Sequence, residues 1–306
     1  MIIPSKLKLG DTIGVVAPSN PIVGDNIEEI EMARKIVINE GFKIKFSKNL
    51  FSNTLGYSAT PQEKAEDINN MFADSNVKMI WCAKGGENSN STLDYLDYEL
   101  IRSNPKIICG YSDITVLTNV ITSKTGLVTF SGTNFKTIAT DNTDYSYKQI
   151  LKRFKEGSLE IGTKSDSYQV INPGIAEGEL VGGNLSLIRG LIDGKYKLEF
   201  TDKILFLEEL GLETPPALVS NYLYYMKQNG IFNKIKGLWI GNYEHESDVK
   251  LEKIVLDVIR DEYNIPIVKS DNFGHIETKT VIPIGTRAKI DTTSKVKVEL
   301  IEKCVK

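Results

Sequence analysis

The stretch KIICGYSDIT, residues 106–115, decides the fold. Lys106–Gly110 is a short apolar run of the kind buried on both faces of a sheet. It breaks at Gly110, and Ser112–Thr122 continues with helical spacing. A strand that turns sharply into a helix lifts a serine at the turn to the sheet edge with its hydroxyl outward. The neighbouring amides, helped by the helix N-terminus, then face a common spot. The familiar form of this turn is G-x-S-x-G. Here Ile114 stands two residues after the serine, so the match is partial. The alternative is that Ser112 is a plain helix N-cap with Asp113 in the first turn.

Outward from this stretch, the first half alternates strand and helix signals. Thr12–Ala17 is expected as a buried strand ending at Pro18. Asn26–Asn39 carries Ile27, Ile30, Ala33, Ile36 and Val37 at helical spacing and stops at Gly41. Lys43–Phe46 is a second short strand. Thr60, Pro61 and Glu63 form a helix-start signature, with the helix running to about Ala73. Met79–Ala83 is another strand, ending at Gly85-Gly86, and Ser91–Asn104 is helical in pattern. Such alternation predicts a parallel sheet covered on both faces, with ligands at the carboxyl ends of its strands. Gly85-Gly86 and Tyr111-Ser112 both fall there.

The second half differs. Gly157–Gly183 is rich in glycine and reads as a linker followed by short strands, so the domain boundary is placed near residues 155–175. Gly182-Gly183-Asn184 opens a helical stretch, Leu185–Leu191. Lys203–Glu208, Gly237–Gly241 and Pro266–Lys269 are expected as strands. Pro216–Gly230 and Lys250–Tyr263 are expected as helices, and Ser294–Glu302 alternates as a terminal strand. Two units follow: residues 1–160, holding the serine, and residues 161–306.

Composition narrows the function. The chain has 306 residues, 41% hydrophobic and 25% charged, which is ordinary for a globular protein with a sizeable core. Thirty-seven basic against 40 acidic residues give a net charge of −3, with no global reason to bind nucleic acid. Three scattered cysteines, Cys82, Cys109 and Cys304, do not suggest a disulfide framework and fit a reducing compartment. The N-terminal apolar run is too short for a signal-peptide core, and no run approaches the roughly 18–20 residues of a membrane span. The expectation is a soluble cytoplasmic protein without a membrane partner. Two histidines and no CxxC or HExxH leave little for zinc, so no metal is expected.

A serine nucleophile needs a base, and the base needs an orienting carboxylate. The only histidines are His245 and His275. His245 sits among Glu244, Glu246 and Asp248 in what reads as a solvated loop. His275 follows Gly274 after a strand, where a loop is able to reach another strand end. Its plainer reading is a hydrogen-bonded loop histidine. Glu208 and Glu209 end a buried strand, where a carboxylate is costly unless partnered, so either is a candidate to hold an imidazole. The alternative is that both meet solvent. Lys84–Ser91, with Gly85-Gly86-Glu87, is neither a P-loop nor G-x-G-x-x-G. Its small residues allow close backbone approach and oxyanion contact.

Taken in order along the chain, the motifs resemble the LD-carboxypeptidase family of serine peptidases, which includes the microcin C immunity peptidases. The resemblance runs through Leu9–Ser19, Lys84–Asn90 followed by Leu96-Asp97-Tyr98, Gly110–Thr115, Thr125–Phe130, Gly178–Leu185, Leu205–Glu209, Gly274-His275 and Pro283–Gly285. It implies an N-terminal Rossmann-like parallel-sheet domain plus a C-terminal mixed α/β, barrel-like domain carrying the glutamate and histidine. It implies a triad of Ser112, His275 and Glu208, with the backbone amides of Gly86 and Asp113 as oxyanion donors. Gly85, Glu87 and Asn184 are then expected to touch substrate. No cofactor is implied. Family members cut the amide between an L-centre and a D-residue in muropeptides, releasing D-alanine during cytoplasmic peptidoglycan recycling. The immunity branch cleaves peptidyl-aminoacyl nucleotides instead. A homodimer acting on a small peptide is expected, and a non-catalytic muropeptide-binding protein is the contrasting class.

Two departures bear on substrate choice. The family commonly has an aromatic residue after the double glycine, where this chain has Glu87. Asp is common after the family glutamate, where this chain has Glu209. The immunity branch stacks a loop tryptophan on its nucleotide base. Here Trp81 and Trp239 lie in apolar strands expected in the core, and Tyr168 is the aromatic residue in that loop. For the substrate carboxylate, Arg189 and Lys84 are the candidates.

Overall fold

The computed structural model describes residues 1–140, 145–161, 168–259 and 262–306. The apolar runs of the first half become β1 (Thr12–Val16), β2 (Lys43–Phe46), β3 (Val77–Cys82), β4 (Ile107–Gly110) and β5 (Thr129–Ser131). The later strands are β6 (Gln169–Asn172), β7 (Ile175–Asn184), β8 (Ile204–Glu208), β9 (Gly237–Ile240), β10 (Ile267–Lys269), β11 (Ile282–Ile284), β12 (Arg287–Asp291) and β13 (Val298–Leu300).

The first sheet has the spatial order β11-β5-β4-β3-β1-β2. Its pairs are parallel except for β11, which adds antiparallel to β5. β4 and most of β3 are buried on both faces, as expected of a sheet covered by helices. The second sheet, β13-β12-β7-β8-β9-β10-β6, has a parallel centre from β7 to β10 and antiparallel edges, and curls into a half-barrel. The α/β architecture is thus as expected, with one addition. β11 comes from the late part of the chain yet completes the first sheet.

Local signals hold where the sequence states them fully. Thr60 caps the helix Pro61–Ala73 with a complete capping box: the Glu63 amide donates to Thr60 Oγ1 at 3.3 Å, and the Thr60 amide donates to Glu63 Oε2 at 3.0 Å. Elsewhere the structure corrects the pattern. Ser91–Asn104 is not one helix. A 3-10 segment, Ser89–Tyr95, stops at Leu96, and Asp97 caps a new short helix, Tyr98–Ser103. Gly182-Gly183-Asn184 ends β7, and the expected helix does start at Leu185, with Asn184 as its N-cap, but it stops at Arg189 rather than Leu191. Ser294–Glu302 contributes only Val298–Leu300 as strand. The expected helix Lys250–Tyr263 is Leu251–Ile259, and residues 260–261 lie outside the described ones. The expected linker at 155–175 includes residues 162–167, which also lie outside them.

The two sheets meet through the helix Ile114–Thr125 that leaves β4. Its Ile114, Leu117 and Ile121 share one buried cluster with Val181, Leu185 and Leu205. Asn119 stitches the junction by donating to the Gly182 carbonyl at 2.8 Å and accepting from the Gly182 amide at 3.2 Å. The two glycines permit this approach. Both have left-handed φ, +143° and +138°. A Cβ on Gly182 would lie 1.9 Å from the Phe206 carbonyl oxygen, and one on Gly183 would lie 2.6 Å from Thr115 Oγ1. The contact sets the carboxyl ends of β3 and β4 opposite those of β7, β8 and β10.

Candidate active site

Ser112 sits between β4 and the helix Ile114–Thr125 with φ +64°, one of a few non-glycine residues in the left-handed region. That conformation costs an L-residue roughly 1–2 kcal/mol. A plain N-cap residue has extended backbone instead, so the N-cap alternative for Ser112 does not describe this turn. Surrounding structure holds the strain. A Cβ on Gly85 would lie 3.0 Å from Ser112 Cβ, and one on Gly110 would lie 2.8 Å from Ile114 Cγ2, so both glycines clear room for the turn. Asn134 clamps its start, accepting from the Tyr111 amide at 3.1 Å.

The structure brings Ser112, His275 and Glu208 into one line. His275 Nε2 is 3.1 Å from Ser112 Oγ, and His275 Nδ1 is 2.7 Å from Glu208 Oε2. Glu208 ends β8 and is only 3% exposed, so its carboxylate is partnered as burial demands. Gly274, with φ +118°, lets the histidine loop pass close: a Cβ there would meet Glu208 Cβ and Oε2 at 3.1 Å. The Tyr111 ring centroid lies 5.2 Å from that of His275 and 4.4 Å from Lys279 Nζ. Burial and the Glu208 charge push the Tyr111 hydroxyl up to about 12, so it stays neutral.

Burial pulls the His275 imidazole down. The charge and hydrogen bond of Glu208, with the charge of Glu209 behind them, outweigh burial and hold its pKa above the ordinary histidine value. An imidazole so placed has Nδ1–H directed at Glu208 and Nε2 left to accept a proton from Ser112, which is the order a serine nucleophile requires.

Glu209 has a different task from its neighbour. It is 2% exposed and accepts from Asn184 Nδ2 at 2.9 Å, from the Ser186 amide at 2.8 Å and from the Leu210 amide at 2.8 Å. Burial and the adjacent Glu208 raise its carboxyl above the usual range despite these donors. Asn184, expected to touch substrate, is itself 3% exposed, and its amide oxygen is taken by Ser186 Oγ at 2.5 Å. Its side chain holds Glu209 in place.

Asp113 carries two features. Its backbone N–H and that of Gly86 donate to no protein acceptor among the described residues. Asp113 follows Ser112 on the elbow, and Gly86 follows Gly85, where a Cβ would lie 3.2 Å from Ser112 Oγ. The buried Asp113 carboxylate ties three segments together, accepting from Ser19 Oγ at 2.5 Å and from the Ser89 amide at 2.7 Å. Lys64, 2% exposed, reaches the same loop from the helix Pro61–Ala73, donating to the Asn88 carbonyl at 3.0 Å and to Asn88 Oδ1 at 2.5 Å. Burial lowers its ammonium to about 8, against the pull of Asp113. The sequence reading missed Lys64, Asn134 and Asn119. Only Lys64 left a signal, a lysine on the buried stripe of an amphipathic helix.

Other candidates fall away from this line. His245 bonds Ser247 Oγ at 2.7 Å through Nδ1 and stacks on Tyr243. Arg189 stacks on Tyr225 at 4.6 Å and Tyr222 at 5.7 Å. Trp81 and Trp239 are core residues, with indole N–H groups donating to the Thr133 carbonyl and Ser270 Oγ. No group of three or more His, Cys, Asp or Glu able to hold a metal occurs among the described residues. Nor is any helix among them long and apolar enough to cross a membrane.

Residues 13–132 match the LD-carboxypeptidase N-terminal domain, and residues 177–290 match the LD-carboxypeptidase C-terminal domain. The chain belongs to the LD-carboxypeptidase family. It is therefore a peptidase of the serine carboxypeptidase kind. A probable murein peptide carboxypeptidase of Bacillus subtilis is 34% identical over 303 residues, covering 95% of this chain and 92% of the relative. The crystal structure of an MccF-like protein from Bacillus anthracis superposes with a TM-score of 0.88 at 34% identity, covering 98% of each chain. The microcin C7 self-immunity protein MccF in complex with aspartyl sulfamoyl adenosine superposes with a TM-score of 0.91 at 25% identity, covering 100% of each chain. This LD-carboxypeptidase relative thus stands near both branches, and its site must be read from its own residues.

Proposed function

We propose that this chain is a serine LD-carboxypeptidase that hydrolyses the amide between an L-centre and a terminal D-amino acid in a muropeptide, releasing D-alanine. The line of Ser112, His275 and Glu208, at 3.1 and 2.7 Å, carries the proposal. Ser112 Oγ attacks the scissile carbonyl carbon while His275 Nε2 takes its proton. Glu208 keeps the imidazole oriented and balances the imidazolium charge. The carbonyl oxygen becomes an oxyanion, received by the Gly86 and Asp113 amides. His275 then gives its proton to the leaving amine, and an acyl-enzyme remains. Water, deprotonated by the same imidazole, releases the acyl group and restores Ser112.

The proposal includes two units, residues 1–160 and 161–306, working in the cytoplasm as a homodimer in peptidoglycan recycling. Sedimentation and cell fractionation test those parts. A second reading is favoured by the likeness to MccF bound to aspartyl sulfamoyl adenosine: hydrolysis of a peptidyl or aminoacyl nucleotide. Against it, both tryptophans are buried in the core, leaving half-buried Tyr168 as the aromatic residue of the loop. The test is to assay wild type and Ser112→Ala side by side on an L,D-tetrapeptide and on an aminoacyl sulfamoyl nucleotide. Turnover of the tetrapeptide alone, lost in Ser112→Ala, is expected. Turnover of the nucleotide alone favours the second reading. Saturable muropeptide binding without turnover makes the chain a binding protein and ends the proposal.

A further inference from the structure

Past the end of β1 lies a motif that the reaction above does not use: Ala17, Pro18, Ser19 and Asn20. The segment is itself fixed. Ser58 Oγ donates to the Ala17 carbonyl at 2.5 Å, and the Ser58 amide donates to the Ser19 carbonyl at 3.1 Å. Ser19 and Ser58 are both fully buried.

Asn20 holds Gly86 from both sides. Its amide donates to the Gly85 carbonyl at 3.4 Å, and its Oδ1 accepts from the amide of exposed Glu87 at 3.3 Å. A Cβ on Gly86 would lie 2.2 Å from Asn20 Cγ, so only glycine allows this approach. The Gly85 carbonyl and the Gly86 N–H share one trans peptide plane and point in opposite directions. Turning the carbonyl toward Asn20 therefore turns the Gly86 N–H away from Asn20. Ser19, one residue earlier, holds Asp113 by donating from Oγ to its carboxylate at 2.5 Å. Ser89 holds Asp113 twice more, through its amide on the carboxylate and its hydroxyl on the carbonyl, each at 2.7 Å. In the peptide plane that carries the Asp113 N–H, the Ser112 carbonyl accepts from the Thr115 amide at 2.8 Å, so the N–H points the other way, out of the helix.

We propose that Ser19 and Asn20 are positioning residues for the oxyanion hole, neighbours in the chain that each fix one of its two donors. The inference rests on the peptidase reading above, in which the Gly86 and Asp113 amides receive the oxyanion. Adjacent Cα atoms lie about 3.8 Å apart, so both donors take their place from one short, fixed segment rather than from two separate loops. Donors held in advance cost no reorganisation as charge develops on the carbonyl oxygen. Among the described residues neither Ser19 nor Asn20 bonds Ser112, His275 or Glu208. Their effect therefore belongs to the oxyanion and not to the proton transfer.

The test measures kcat, KM and the pH limb of His275 on the L,D-tetrapeptide, together with the rate of inactivation by diisopropyl fluorophosphate. In that inactivation Ser112 Oγ bonds to phosphorus, fluoride leaves, the serine proton passes to His275, and the phosphoryl oxygen takes the place of the oxyanion. Ser19→Ala and Asn20→Ala are each expected to lower kcat and the inactivation rate by roughly ten- to hundredfold, somewhat less than complete loss of a donor. KM is expected to stay within about twofold and the pH limb to stay in place. Asn20 is only half-buried, so Asn20→Ala decides the matter if urea denaturation shows Ser19→Ala to be unfolded. An unchanged kcat and inactivation rate in the folded variants overturns the inference. A displaced pH limb overturns it too, because the fault then lies in the triad. If wild type reacts with the fluorophosphate and leaves the tetrapeptide intact, the LD-carboxypeptidase reading fails, and the inactivation rates of the variants still decide the role of Ser19 and Asn20. If wild type reacts with neither, both readings fall.

Discussion

The left-handed backbone of Ser112 allows a measurement of the strain stored in the candidate nucleophile turn. Two substitutions separate backbone from side chain. Ser112→Ala and Ser112→Gly both remove the hydroxyl and its contact with His275 Nε2, so both are expected to be inactive. They differ in the Cβ alone. At φ +64° an L-residue carries roughly 1–2 kcal/mol that glycine does not. Glycine gives back about 0.5–1 kcal/mol through the larger freedom of its unfolded chain. Ser112 is only half-buried, so loss of one methyl group from packing adds little. The difference leaves Ser112→Gly more stable than Ser112→Ala by about 0–1.5 kcal/mol, with its centre at about 0.75. For a chain of 306 residues that corresponds to roughly 1–3 °C in Tm at most, so urea denaturation read by tryptophan fluorescence is the better assay. The midpoint should move with an unchanged slope. If Ser112→Gly proves less stable than Ser112→Ala, the strain is smaller than the glycine entropy cost, and the serine is not held up by its backbone.

Further outcomes follow from the same geometry. His275→Ala is expected to silence hydrolysis, whereas His245→Ala should leave kcat/KM within about twofold, since among the described residues His245 bonds Ser247 and stacks on Tyr243; the reverse result would displace the proposed base. The rate should rise with pH on a limb set by His275, placed above the ordinary histidine value because Glu208 and Glu209 outweigh burial. Glu208→Gln should move that limb to lower pH and cut kcat by about 10³–10⁴, so a limb that stays in place argues against the Glu208 contact. The same raised pKa favours the folded state below the unfolded histidine value, and that contribution fades as pH climbs through the folded one. Lys64 works in the opposite sense. Its ammonium is lowered to about 8, so the unfolded chain binds the extra proton, and stability should rise with pH from about 8 toward the ordinary lysine range. Lys64→Met should remove part of that rise in denaturation profiles, since Lys106 is also lowered to about 8 by burial, and should lower kcat by loosening Asn88; an unaltered profile would place the titration at Lys106.

How much of this was legible depends on the range over which each interaction acts. The capping box of Thr60, Pro61 and Glu63 was readable because its partners lie three residues apart. β4 and its turn were readable because a doubly buried strand has an unbroken apolar run. The break at Leu96-Asp97 was obscured because the apolar spacing continues through it, and the Asp97 cap decides it locally. β5 and β11 are three residues long, too short to show a period, and β12 alternates over only five. β11 also contains Pro283, which its place at the sheet edge permits.

The sequence by itself determined the α/β class, the parallel sheet and a serine at its strand-to-helix turn. Through family motifs it also pointed to Ser112, Glu208 and His275 as the residues to watch. Apolar runs, glycines at turns and short-range caps act within a few residues, so they survive in a linear string. Apart from the resemblance, the residues alone left Glu208 and Glu209 equivalent, and the tertiary structure tells them apart. Both acids leave the same strand end with the same chemistry. Their tasks are set by partners far away in sequence: His275 for one, and Asn184 with the Ser186 amide for the other. It likewise decided that Asn184 is buried and that Ser112 is left-handed. The burial of Asn184 depends on which strand ends meet across the Gly182-Gly183 junction, and the Ser112 turn on the close approach of Gly85, Gly110 and Asn134, none of which a linear string displays.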